Sequence, residues 1–140
     1  MTLIVLDTDT LSLFQSGDAP VIDRCRQTPR ADLHVTVISV EEILSGWYTL
    51  LRRAKTRARL AGAYQRLAAS VQFLGSLSVL TFSERAIERF EQLKASKLGI
   101  RAPDLRIAAI ALEHGGTLVT RNLRDFRLIP GLAIEDWSKT

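Results

Sequence analysis

The chain has a single cysteine, Cys25, among its 140 residues. A lone thiol excludes an internal disulfide framework and fits a reducing compartment. His34 and His114 lie far apart, and no Cys/His pair has ligand spacing, so a zinc centre is excluded too. No apolar run approaches the roughly 20 residues that a membrane-spanning helix needs. The opening segment, Met1-Thr2-Leu3-Ile4-Val5-Leu6-Asp7, has no basic leader and meets an acid at once, so it does not read as a signal peptide. A cytoplasmic location is expected. There is no G-x-S-x-G nucleophile elbow and no G-x-x-x-x-G-K-S/T loop, which argues against a serine hydrolase and a P-loop nucleotide site. One absence is regional: no Asp or Glu occurs between Ile43 and Ser83.

What is present is a globular composition, 46% hydrophobic and 24% charged, which excludes a mainly disordered chain. The net charge of +4 permits a polyanionic partner without demonstrating one. Within the acid-free stretch cluster Arg52, Arg53, Lys55, Arg57, Arg59 and Arg66. These residues suit phosphate contacts that supply salt-dependent affinity, and equally a solvated helix face. Trp47, Tyr48 and Trp137 read as core or interface residues rather than base-stacking platforms.

Leu3-Ile4-Val5-Leu6 is a short continuous apolar run, the pattern of a central parallel strand covered on both faces. Strands are also expected over residues 34–38, 78–81, 117–120 and 132–134. Helical signals alternate with them. Asp18-Ala19-Pro20 marks one helix start, and Ser83 caps another that carries Ile87, Phe90 and Leu93. Leu60, Tyr64, Leu67, Val71 and Leu74 form an apolar stripe expected to face the core. Pro103 opens a helix from Asp104 to His114 that is apolar nearly all round and stops at Gly115. Alternating strands and helices predict one α/β domain over residues 1–140, three-layered, with a central parallel sheet of about five strands.

In such sheets ligands bind beyond the carboxyl ends of the strands. Four distant segments deliver an acid or amide there: Asp7 after the first strand, Glu42 after the second, Asp104 at the head of the apolar helix, and Asn122 with Asp125 after the fourth. No Lys, Arg or His lies within Asp7-Thr8-Asp9-Thr10 to neutralise them. Each residue also has a structural reading. Ser39-Val40-Glu41-Glu42 matches a capping box, with Glu42 bonding back to the Ser39 amide. Asp7 or Asp9 suits an N-cap, Asp104 suits a helix N-terminus, and Asp125 suits a surface pair with Arg121, Arg124 or Arg127. These separate readings leave the convergence unexplained. Crowded carboxylates repel one another, and an all-oxygen set suits Mg²⁺ or Mn²⁺.

Taken in order, the motifs resemble those of the PIN domain, particularly its VapC-type toxin ribonucleases. Leu6-Asp7-Thr8-Asp9 looks like the family's opening motif, and Glu42-Ile43-Leu44-Ser45-Gly46 is similar to its second. Pro103-Asp104-Leu105-Arg106-Ile107-Ala108-Ala109 and Thr120-Arg121-Asn122-Leu123-Arg124-Asp125-Phe126 resemble the third and fourth. The likeness spans Leu6 to Phe126; no motif alone is specific, but the ordered set is. It implies a Mg²⁺- or Mn²⁺-dependent endoribonuclease, homodimeric, paired with a cognate antitoxin. Asp7 and Asp104 would be the metal ligands, with Glu42 completing the acidic cluster. Many members place an Asp where this chain has Asn122, so Asn122 and Asp125 share the fourth position. The resemblance also implies that the helices from Trp47 to Leu74, with Arg52, Arg53, Arg57 and Arg59, form a groove for an antitoxin helix. The alternatives are a catalytically degenerate PIN domain that only binds RNA or protein, and a receiver-like phosphoacceptor domain. The latter needs a Lys at the end of its last strand, where this chain has Ile134-Glu135-Asp136-Trp137.

Overall fold

Five short strands form a parallel sheet in a computed structural model that describes residues 2–139. They are β1 (Ile4–Leu6), β2 (Leu33–Thr36), β3 (Ser78–Leu80), β4 (Thr117–Val119) and β5 (Ala133–Glu135), in the order β3-β2-β1-β4-β5. The interleaved helices are α1 (Thr8–Ser16), α2 (Ala19–Gln27), α3 (Val37–Arg53), α4 (Arg57–Gly75), α5 (Glu84–Ala95), α6 (Ala102–Glu113) and α7 (Leu123–Phe126). This is the three-layer α/β/α arrangement that the alternating pattern predicts.

The apolar run of β1 is central, and its side chains alternate between two cores. Val5 joins Leu118 of β4 beneath α5 and α6, with Phe90, Ile107 and Ile110. Ile4 and Leu6 join Val35 and Val119 on the other face, against Leu11 of α1, Val21 and Cys25 of α2, and Leu74 of α4. Ile107 through Ala111 are fully buried, which accounts for a helix without a polar side. Gly116 leads directly into β4, where a larger residue would crowd Leu3, just before β1: an added Cβ would stand 2.6 Å from Leu3 Cδ2 and 3.1 Å from its carbonyl oxygen. Burial pushes the Cys25 thiol up to about 11, consistent with an inert core residue.

Two sequence expectations are corrected here, both bearing on the site. The second strand ends at Thr36, not Ile38, because Thr36 caps α3: its hydroxyl accepts from the Ser39 amide at 3.2 Å. This earlier cap draws Val37 and Ile38 into the helix and displaces the capping box proposed for Ser39 and Glu42. Glu42 therefore sits in the second turn with its carboxylate free of capping duty. The apolar stripe of α4 is only partly its buried side. Its member Leu74 is in the core, but Leu60, Tyr64 and Val71 are exposed, and Ala63 and Ser70, off the stripe, are buried. α4 packs beside α3, and its larger apolar side chains Leu60, Tyr64 and Val71 stay outward.

His34 and Trp137 both have structural surroundings. His34 Nδ1 lies 2.8 Å from Ser78 Oγ across the β2–β3 pair. Trp137 is buried, with the Arg24 guanidinium 4.9 Å from its ring centre.

Candidate functional site

Beyond the carboxyl ends of β1, β2 and β4 lies a cleft of about 480 Å³. Asp7, Glu42, Asp104 and Asn122 line it together, so the four segments do converge on one space. Asp125 does not line it.

Asp7 is fixed from two sides. Its backbone N–H donates to the Val119 carbonyl at 3.0 Å, tying the end of β1 to β4. Its carboxylate caps α1, with Oδ1 accepting from the Thr10 amide at 2.8 Å. The N-cap reading of Asp7 is therefore correct, and it does not remove the residue from the cleft. Burial raises the carboxyl pKa above the ordinary aspartate value, and the Asp9 charge adds to the rise. Hydrogen bonds from Thr120 and Thr10 act in the opposite direction.

Glu42 accepts from the Thr8 hydroxyl at 2.6 Å through Oε1 and from Arg101 Nη2 at 3.2 Å through Oε2. Thr8 is itself 2.8 Å from Ser39 Oγ, so a chain of short polar contacts holds the Glu42 head group. Asp104 stands in the first turn of α6, the helix with the most completely buried core face. Burial raises its pKa; Glu42, Asp7 and Asp125 raise it further, and Arg101 opposes them. The carboxylates thus register one another's charge.

At the fourth position the side chains divide the work. Asn122 lines the cleft and caps the four-residue α7, while its Nδ2 donates to Asp125 Oδ2 at 2.9 Å. The ion pairs considered for Asp125 are absent among the described residues. Arg121 instead forms a two-pronged pair with Asp9, at 2.7 Å and 3.0 Å.

Sequence reasoning missed the cations. No basic residue follows β1 in sequence, yet Arg101 and Arg121 reach the cleft from other segments. Arg101 contacts both Glu42 at 3.2 Å and Asp104 at 3.6 Å. The signal available was its position three residues before Asp104, where side chains share a helix face. Thr8 was missed as well; as the residue after Asp7 it opens α1 and faces α3.

The donor chemistry fits a hard divalent cation: three carboxylates, oxygen atoms only, two of them pushed towards protonation by burial and mutual repulsion. Arg101 offsets part of this charge, at Glu42 and Asp104. Among the described residues, no three His, Cys, Asp or Glu side chains already stand close enough to enclose an ion.

Beside the cleft runs a second groove of about 780 Å³, sharing Thr8 and Glu42 with it and lined by Ile43, Trp47, Leu50 and Arg66. The Trp47 Nε1 donor is buried there without a partner. Leu50 and Arg66 continue into a notch between α3 and α4 that also holds Arg53 and Arg59. Arg52 turns back to Thr49 Oγ1 at 3.3 Å, and Arg57 is exposed at the start of α4. Among the described residues none of these arginines has an acidic partner. No helix among them is long and apolar enough to cross a membrane.

Comparison with known proteins agrees with the geometry. Ribonuclease VapC2 of Rickettsia felis is 37% identical over 71 residues, 48% of this chain and 53% of that protein. The tRNA(fMet)-specific endonuclease VapC of Salmonella typhimurium is 36% identical over 77 residues, 52% of this chain and 58% of that one. The chain thus spans little more than half the length of these curated relatives. Among solved structures, a DNA-bound VapBC from Salmonella typhimurium superposes with a TM-score of 0.79 at 27% identity, over 98% of this chain and 99% of that one. A VapBC2 from Rickettsia felis bound to a promoter DNA fragment has a TM-score of 0.74 at 20% identity, over 97% and 99%, which speaks for the fold alone. The family model described as the PIN domain matches residues 4–132, and the chain belongs to that family.

Proposed function

We propose that this protein is a divalent-metal-dependent endoribonuclease, the toxin of a toxin–antitoxin pair. The observation that carries the reading is the single cleft into which β1, α3, α6 and the β4–α7 turn deliver Asp7, Glu42, Asp104 and Asn122. The names of the VapC relatives support the choice of RNA as substrate.

In this reading Asp7 and Asp104 hold Mg²⁺ or Mn²⁺, with Glu42 completing the charge. The ion supplies Lewis acidity at the phosphodiester and favours hydroxide over water. The protein's own groups do the rest. Glu42, steadied by the Thr8 hydroxyl, accepts the proton of the attacking water as the phosphorus–oxygen bond to the leaving nucleotide breaks. Asn122, held by Asp125, orients the substrate or water at the fourth corner. The acid-free wall bearing Arg53, Arg59 and Arg66 guides the phosphates of the flanking strand. The adjoining groove, lined by Ile43, Trp47 and Leu50, receives an antitoxin helix.

Pooled transfer, ribosomal and messenger RNA incubated with Mn²⁺, Mg²⁺ or EDTA tests the activity. Cuts at defined positions are expected with either ion and none with EDTA, and the Asp104→Ala protein should be silent. Metal-independent cuts, or equal cutting by Asp104→Ala, would refute the mechanism. The basic wall has its own test. Charge reversal of Arg57 and Arg59 to Glu is expected to weaken RNA binding about tenfold or more at low salt. It should also flatten the log–log salt dependence by roughly 0.7 per lost phosphate contact. If RNA cleavage and antitoxin affinity both survive unchanged, this face is simply solvated.

A further inference from the structure

Arg101 differs from every other charged residue at the cleft. It bridges two carboxylates, Glu42 at 3.2 Å and Asp104 at 3.6 Å, without the paired geometry that Arg121 makes with Asp9. Its side chain is 67% exposed, whereas those of Glu42 and Asp104 are 25% and 20% exposed. The carboxylates are also the anchored members. Glu42 is gripped by Thr8, and Asp104 rides on the buried helix α6. Arg101 precedes α6 and makes no side-chain capping bond. Single, solvent-exposed contacts of this kind contribute little net stability. The arrangement is a fixed anionic pair with a loosely held cation between.

Resting on the reading that these carboxylates hold a divalent ion, we propose that Arg101 is a displaceable counter-ion: it neutralises Glu42 and Asp104 until the ion arrives, then turns to the substrate phosphodiester and positions it. Both halves follow from charge. A doubly charged ion outcompetes a single guanidinium for the same oxygens, because Coulomb attraction scales with charge. The freed guanidinium, a planar fork of donors, matches the geometry of a phosphate. An acidic cleft that repels RNA when empty thus acquires a phosphate ligand at the moment it is loaded. Cleavage without the ion is disfavoured twice, since neither the Lewis acid nor the phosphate contact is in place.

The test separates ion from substrate. Mn²⁺ binding to the wild type, Arg101→Gln and Arg101→Lys is measured by titration calorimetry without RNA. Steady-state cleavage is then measured at saturating Mn²⁺. Removing the competing cation in Arg101→Gln is expected to tighten Mn²⁺ binding about three- to tenfold. The same variant should raise KM for RNA about tenfold with a smaller change in kcat. Arg101→Lys should keep wild-type ion affinity and recover only part of the KM. A purely structural ion pair moves neither quantity in these opposed directions. Unchanged or weaker Mn²⁺ binding by Arg101→Gln overturns the counter-ion role, and an unchanged KM overturns the phosphate contact. If the wild type itself binds no Mn²⁺, the metal-site reading falls and takes this inference with it.

Discussion

Replacing Asp7 with Asn is expected to abolish RNA cleavage and, in the absence of divalent ions, to raise the melting temperature at neutral pH. The first effect follows from removing a charge at the centre of the acidic cleft; a loss of a hundredfold to a thousandfold or more is the usual scale for such a group. The second follows from linkage. Asp7 is 6% exposed, and its folded-state pKa is raised chiefly by burial. Between the unfolded and the folded value the folded protein therefore holds a proton that the unfolded chain releases. Stability is intact below the unfolded aspartate value of about 3.9 and is lost as pH rises through the higher folded value. At pH 7 the unfolded chain carries this carboxylate fully ionised in water, so burying it costs stability there. Asn carries no charge to bury, and it caps a helix about as well as Asp, so the bond from the Thr10 amide is retained. Thermal melts in EDTA at pH 7 and pH 3.5, beside cleavage assays, check both claims. The gain should appear at pH 7 and vanish at pH 3.5. Wild-type cleavage by the variant would remove Asp7 from the site; a lower melting temperature at pH 7 would show that burial is not the dominant influence on this carboxyl.

That a functional residue should cost stability explains why much of the site was legible in the sequence. Asp7 and Asn122 each cap a helix, but separate capping roles do not explain why four acids or amides at strand and helix ends line one cleft. Asp7, Glu42, Asp104 and Asn122 could be read as candidates because each lies within a few residues of a strong element boundary. The fold was legible for a similar reason. A buried parallel strand such as Leu3–Leu6 and an all-apolar helix such as Ile107–Leu112 admit few other placements.

What the sequence concealed were competitions between neighbours and contacts between distant residues. Thr36 and Ser39 both suit a helix N-cap; Thr36, the last residue of β2 paired with Leu80 of β3, takes the role. Leu60, Tyr64 and Val71 look like a core stripe, yet of that stripe only Leu74 is buried, and Ala63 and Ser70 are the other buried residues of α4. Arg101 and Arg121 lie 59 and 112 residues from Glu42 and Asp9, their partners, so no local pattern announces those pairs. The last motif was readable in another way: its Phe marks a packing position as well as the end of a signature.

Phe126→Ala is expected to produce the largest stability loss of any substitution at the edge of the site. Phe126 is 1% exposed and lies in the core beneath α6, in the cluster that includes Leu118, Ala108 and Ile129. Truncating a buried Phe removes its transfer free energy and leaves a cavity, together about 3–5 kcal/mol. A protein of this size has a total of about 5–15 kcal/mol to lose. The consequence for the cleft is specific. Helix α7 has four residues, too few to persist without tertiary packing, and Phe126 is its buried anchor. Without the ring, Asn122 loses the helix it caps and Asp125 loses its fixed place beside Asn122. Phe126→Leu retains most of the volume and should cost about 1.5 kcal/mol or less. Denaturant unfolding of both variants measures the stabilities, and cleavage normalised to the folded fraction reports on the cleft. The Ala variant should fall well below wild type even after that normalisation, with the Leu variant close to it. A cost under about 1 kcal/mol for Phe126→Ala would mean the site closes over the gap, and the ring would then not be what fixes α7.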